Sequence, residues 1–298
     1  GLHSNDRFRP VQIDVELPLI PRLPGFSALF GHGSIDGIEV DFVLCCGHWH
    51  QLQFTPEEMK MDKVDIMDHL QELTPNKGAY FSLVTVGNGI DTTLAECFKM
   101  SVEVGREVGD TLLMALYNPT EGVRKDIVRT GKERSGIETP LVCLARQFMA
   151  TTGEKLYNIN PQSLWLCIPH SENGVITKRA IEGMTAAQQQ ILQKILHIFA
   201  VGPAEPLSQR QGVSVINAYS DKDYITGFGP CGYAKQFIDH PDYDIRVLSC
   251  ISGRGEKNLW IADHGFLQPT YRKAWGDHID LLKQKFYFYE GSNNGQAR

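Results

Sequence analysis

From residue 79 onward, short apolar runs alternate with longer amphipathic stretches, and this rhythm constrains the fold more than any other feature of the chain. AYFSLVTV, TLLMALYNP, SLWLCIP, VSVINAYS and DIRVLSCIS read as strands, rich in β-branched and aliphatic residues. Between them TTLAECFKMSVEVGREV, GVRKDIVRT, TPLVCLARQFMATTG and GVITKRAIEGM read as helical segments, with Gly153 placed near a C-terminal stop. TAAQQQILQKILHIFAVG reads as one helix, because Ile191, Ile195 and Ile198 recur at three- and four-residue steps. YRKAWGDHIDLLKQKFYFY reads as a closing helix. Strands and helices in alternation predict an α/β fold, a mostly parallel sheet flanked by helices.

The preceding region has a different texture. VQIDVELPLI and IEVDFVLCC read as strands separated by a glycine-rich turn, and FTPEEMKMDKVDIMDHLQEL as a helix with Thr55 as N-cap and Pro56 in its first turn. The expected organisation is therefore a small N-terminal β-rich module with a connecting helix (1–75), an α/β domain (76–288) and a loose tail (289–298). A chain of 298 residues buries a sufficient core without disulfides or metals.

Charge and cysteine usage narrow the function classes. The formal net charge is −6 and no basic stripe occurs, which argues against nucleic acid as the main partner. The seven cysteines are odd in number and sit in apolar strings such as FVLCCG, LVCLA and LWLCIP. Buried reduced thiols look like this, so a reducing compartment is expected: cytoplasm, or delivery to a host cytosol. No run approaches the ~20 apolar residues of a membrane-spanning helix. The chain opens on Gly1, so a preceding targeting or anchor segment stays open.

In a parallel sheet, ligands bind at the carboxyl ends of the strands, so the residues just after each strand carry the chemical information. After SLWLCIP comes His170-Ser171-Glu172-Asn173-Gly174, then a helical stretch. A serine at a strand–turn–helix junction is the nucleophile-elbow arrangement, in which the next amide, here that of Glu172, faces the developing oxyanion. Ser171 is the candidate nucleophile.

At these residues the chain resembles the α/β-hydrolase superfamily of serine hydrolases, whose elbow is typically Gly-x-Ser-x-Gly. His170 and Ser171 match the His-Ser core. The flanking small positions hold Pro169 and Asn173, with Gly174 one step late. The resemblance implies an acid after a later strand. In AYSDKDYI it favours Asp223, two residues before Ile225, with Asp221 as the alternative. It implies a histidine near the C-terminus, matched by His264 in NLWIADHG, and the order Ser171, Asp223, His264 is the family's. It also implies a second oxyanion donor after an early strand, matched by Gly89 and Ile90 in VTVGNGIDTT. The likeness spans roughly Ala79 to Tyr271. YNPTEGVRKD, NGIDT and HSENG are further similar to an uncharacterised chlamydial group of hydrolase-like proteins, which implies no particular substrate.

Other signals rank lower. Gly227-Phe228-Gly229-Pro230-Cys231-Gly232 satisfies the dinucleotide pattern, but it does not directly follow a strand and Pro230 lacks an amide hydrogen. It reads better as a flexible flap continuing through Tyr233 and Phe237 to Tyr243. His48 and His50 would share a side of an extended segment, but no second ligand pair accompanies them. His32-Gly33 lies in a turn outside the parallel core, and Cys167 lies inside a strand. The expectation is a serine hydrolase acting on an ester, thioester or amide, with a small-molecule or lipid-like acyl substrate and neither metal nor organic cofactor. The alternative is a catalytically inactive hydrolase-shaped interaction protein, with the N-terminal module around Trp49 as its partner surface.

Overall fold

The computed structural model describes residues 8–11, 32–35, 38–45, 48–52, 81–92, 94–109, 111–116, 118, 120–229, 232–251 and 263–295. Six strands form the parallel part of the sheet: β5 (Leu83–Gly87), β6 (Leu112–Leu116), β7 (Trp165–Pro169), β8 (Leu196–Val201), β9 (Ser214–Ser220) and β10 (Ile245–Leu248). Their spatial order is β6-β5-β7-β8-β9-β10. The earlier strands β1 (Phe8–Val11), β2 (His32–Ile35), β3 (Ile38–Cys45) and β4 (His48–Leu52) pair with one another antiparallel. They continue the same sheet through antiparallel pairing of β3 with β6, so the N-terminal strands extend the main sheet. The helix expected over FTPEEMKMDKVDIMDHLQEL lies outside the described residues.

The helices are α1 (Leu94–Val108), α2 (Val123–Arg134), α3 (Pro140–Ile159), α4 (Glu172–Glu182), α5 (Ala186–Ile195) and α6 (Pro269–Gly295). Alternation along each strand sorts the core into two layers. On β7, Trp165 and Cys167 join Val142, Met149, Ile176, Ile181 and Leu192 beneath α3, α4 and α5. Leu166 and Ile168 join Cys97, Val104, Tyr271, Trp275 and Ile279 beneath α1 and α6. The indole nitrogen of buried Trp165 donates to Thr85 Oγ1 on the neighbouring strand at 2.9 Å, which satisfies its one polar atom.

Three local readings change. TAAQQQILQKILHIFAVG is a helix only to Ile195; Leu196–Val201 forms β8. Pairing between β7 and β9 buries this apolar run on both faces, where alternation and helical spacing cannot be told apart by sequence. Helix α3 passes through Gly153 and ends at Ile159. A Cβ at Gly153 would stand 2.7 Å from Leu192 Cδ2, so this glycine serves the close approach of α3 and α5. Helix α6 continues to Gly295, well past the boundary of the expected loose tail.

Candidate functional site

The strand order changes direction at β5: the chain moves to one side for β6, then crosses to the other for β7. The carboxyl ends of β5 and β7 therefore flank a topological switch point, where loops diverge and leave a crevice. Ser171 follows β7 and Gly89 follows β5, and the two meet there. A Cβ on Gly89 would lie 2.5 Å from Ser171 Cβ and 2.9 Å from its Oγ. Glycine at 89 is what lets that backbone abut the serine.

Ser171 has φ 54° and ψ −118°, a left-handed conformation that costs a non-glycine residue about 1–3 kcal/mol. The surroundings hold it there. Its amide donates to Val201 O at 3.2 Å, and its carbonyl accepts the Gly174 amide at 3.0 Å and the Ala204 amide at 2.8 Å. The amides of Asn173 and Gly174 are taken by His170 and Ser171 carbonyls, whereas the Glu172 amide opens α4, where a helix provides no internal acceptor.

The departures at Pro169 and Asn173 are absorbed by neighbours. Pro169 ends β7 opposite Gly87, and the ladder resumes one residue later with the His170 amide donating to Gly87 O at 2.9 Å. Asn173 occupies the space a side chain at Gly87 would fill, since a Cβ there would come within 2.0 Å of Asn173 Oδ1. The small residue that the tight turn requires sits on the adjacent strand. Gly174 faces Pro203, 2.4 Å from where its Cβ would be.

His264 Nε2 lies 3.0 Å from Ser171 Oγ, and its Nδ1 lies 2.8 Å from Asp223 Oδ2. The carboxylate only accepts, so Nδ1 carries the hydrogen and Nε2 is left as the acceptor for the serine hydroxyl. Ser171 is 3% exposed, His264 8% and Asp223 fully buried. Asp223 also accepts the Tyr271 hydroxyl at 2.5 Å and the amides of Ile225 and Thr226, each at 3.1 Å. Burial alone pushes this carboxyl up; the facing His264, then the Tyr271 hydroxyl and the Thr226 amide, outweigh it and hold Asp223 below the ordinary carboxylate value. Asp221 is exposed, with its carboxylate accepting the Cys250 amide at 3.0 Å, so it shapes the turn instead.

His170 was part of the elbow motif, but its contact with His264 leaves no trace in sequence. Its ring lies 4.9 Å from that of His264, tilted by 33°, and Nε2 donates to the His264 carbonyl at 2.8 Å. Burial, then repulsion from His264, lowers its pKa to about 3, so the ring is neutral and Nδ1 keeps a buried lone pair. Tyr271, at the start of α6, likewise bears no motif; its oxygen also accepts the Ser220 amide at 3.1 Å.

The loop after β5 is fixed from behind. Asn88 and Asn118 exchange hydrogen bonds reciprocally: the Asn118 amide donates to Asn88 Oδ1 at 2.8 Å, Asn118 Nδ2 to Asn88 O at 2.7 Å, and Asn88 Nδ2 to Asn118 O at 3.0 Å. Asn173 Nδ2 joins them at Asn118 Oδ1, 3.2 Å away. Asp126 of α2 accepts the Asp91 amide at 2.9 Å, fixing the far side of Gly89-Ile90. Arg129 grips both oxygens of buried Glu172 at 3.0 and 2.7 Å, and Thr130 Oγ1 lies 2.8 Å from Glu172 Oε2. The two amides expected to face an oxyanion, from Glu172 and from Gly89 or Ile90, are thus both set by α2.

The remaining candidates do not converge on this crevice. In the segment expected to be a flap, the described aromatic residues pack against the helices: Lys178 Nζ lies over the rings of Phe237 and Tyr243, and Arg134 over Tyr233. Gly229 and Gly232 make room for backbone, with hypothetical Cβ atoms 1.8 Å from Tyr224 O and 2.4 Å from Gly227 O. Residues Pro230 and Cys231, and the strand expected over NLWIA, lie outside the described residues. Burial pushes the Cys167 thiol up to about 12, an inert group. His32-Gly33 and His48–His50 belong to β2 and β4. Among the described residues, no cluster of three His, Cys, Asp or Glu side chains is arranged to hold a metal ion, and no helix is long and apolar enough to cross a membrane.

Compared with known proteins, the chain matches no protein-family model and no curated protein sequence.

Proposed function

We propose that this protein is a serine hydrolase of the α/β-hydrolase type, cleaving an ester, thioester or amide through an acyl-enzyme. The observation that carries this reading is the continuous hydrogen-bonded chain Ser171–His264–Asp223, built on a left-handed serine at a strand–helix turn. In the reaction Ser171 Oγ attacks the substrate carbonyl while His264 Nε2 takes its proton. The negative charge that develops on the carbonyl oxygen faces the Glu172 amide and an amide of Gly89 or Ile90. Collapse expels the leaving group, protonated by His264. Water, deprotonated by the same ring, then attacks the acyl carbon and frees Ser171. Asp223 stays ionised throughout and holds the imidazole in the tautomer that accepts from serine. This chemistry calls for no metal or organic cofactor.

Labelling with a fluorophosphonate probe tests the reading. Wild type is expected to become modified at Ser171, and Ser171→Ala and His264→Ala to remain unmodified with unchanged circular dichroism. A folded wild-type chain that resists the probe turns the reading toward a non-catalytic interaction protein.

A further inference from the structure

Helix α2 is built inside out. Its buried residues are Asp126, Thr130 and Glu133, all polar, while three of its aliphatic residues face solvent: Val123 is 45% exposed, Ile127 55% and Val128 59%. Ile137, in the turn after the helix, is 52% exposed. The inward face is polar because it holds the site: Asp126 bonds the loop after β5, and Arg129 and Thr130 bond Glu172. That explains the inside and leaves the outside to be explained. Arg124, Lys125 and Lys132 are exposed among the aliphatic residues. A groove of about 400 Å³ opens here between Arg124, Lys125, Val128, Arg129, Lys132 and Thr139, with Glu121 the one carboxylate among the described residues that line it. The whole chain carries −6, so this is a local reversal of sign that coincides with the apolar residues.

We infer that the outer face of α2 docks on an anionic lipid surface. A helix lying in a bilayer interface presents apolar side chains to the acyl boundary and Lys or Arg to the headgroups, and α2 offers both at once. A soluble polyanion would use the cations and leave Ile127 and Val128 in water. The opposite, inward face of the same helix adjoins the proposed active crevice, since Asp126 bonds Asp91 in the loop beside Ser171. Docking would therefore hold that crevice about one helix diameter, ~10–12 Å, from the lipid surface. The docking claim itself does not need Ser171 to turn over substrate.

Vesicle flotation of the full chain tests it, with phosphatidylcholine alone against phosphatidylcholine containing phosphatidylserine. Wild type and Ser171→Ala are expected to float equally with the anionic vesicles, and less as salt rises. Lys125→Glu/Lys132→Glu is expected to weaken binding on the order of tenfold or more. Ile127→Ser and Val128→Ser, each at an exposed site and checked for an unchanged melting temperature, are expected to weaken it severalfold. No flotation of wild type overturns the inference, as does equal binding to neutral vesicles. So does anionic binding that survives both serine substitutions and is competed fully by heparin, which assigns the face to an acidic macromolecule.

Discussion

At the scale of single residues, the site depends on a few atoms whose neighbours leave little freedom. Ser171→Ala or His264→Ala is expected to lower ester turnover by several orders of magnitude, measured as kcat on a chromogenic ester, since members of such a triad act as a unit. Gly89→Ala is expected to abolish turnover as well, because the new methyl would overlap Ser171 Cβ and Oγ. Tyr271→Phe removes a buried donor to an ionised acceptor and is expected to destabilise the fold by about 1.5–3 kcal/mol, read by urea denaturation. His170 adds an acid limit to stability. Its pKa falls from 6.5 to about 3 on folding, so the unfolded chain takes up a proton that the native chain refuses. Stability drops as pH falls across that window and is restored above it; His170→Asn, which keeps a donor, is expected to flatten the acid side of a pH–melting curve. Ser171 and Asp223 were legible because each comes shortly after a strand, β7 and β9, and His264 because of its place near the C-terminus in the expected order. His170 and Tyr271 act through contacts across 94 and 48 residues of chain, a separation no local pattern encodes.

At the scale of elements, α2 couples two loops of the site, and its buried carboxyl Glu133 reports on that coupling. Burial, then the nearby charge of Glu172, raises the Glu133 pKa from 4.5 to about 9. Between those values the native chain holds a proton that the unfolded chain has released, so stability declines as pH rises. Glu133→Gln, neutral at every pH, is expected to melt higher than wild type at about pH 8 and to differ little at about pH 5. The helix was visible in sequence, but its orientation was not: GVRKDIVRT has aliphatic residues that would conventionally face inward, and here site hydrogen bonds decide instead. Helix α3 shows the opposite case. Gly153 resembles a stop signal, yet its contact with Leu192 makes it part of a helix–helix seam. Gly153→Val is expected to destabilise by about 1–3 kcal/mol through overpacking there.

At the scale of the molecule, the six-strand parallel sheet followed from the alternation of apolar strands with amphipathic helices, even though β8 was hidden within an apparent helix. Strand order was not legible, because it depends on which strands pair across long connections. That order matters for the proposed site: it sets the switch point between β5 and β7 and brings Gly89 against Ser171. It also accounts for an elbow with Asn173 where a small residue is usual, since Gly87 on the neighbouring strand supplies the space. The central claim is that Ser171 becomes acylated. Rapid mixing with a short-chain p-nitrophenyl ester, followed by peptide mass mapping, measures this directly. The account predicts a burst of nitrophenol approaching one equivalent per chain, with the acyl mass on the peptide containing Ser171. Absence of a burst from the folded chain, or an acyl group mapped elsewhere, would contradict it.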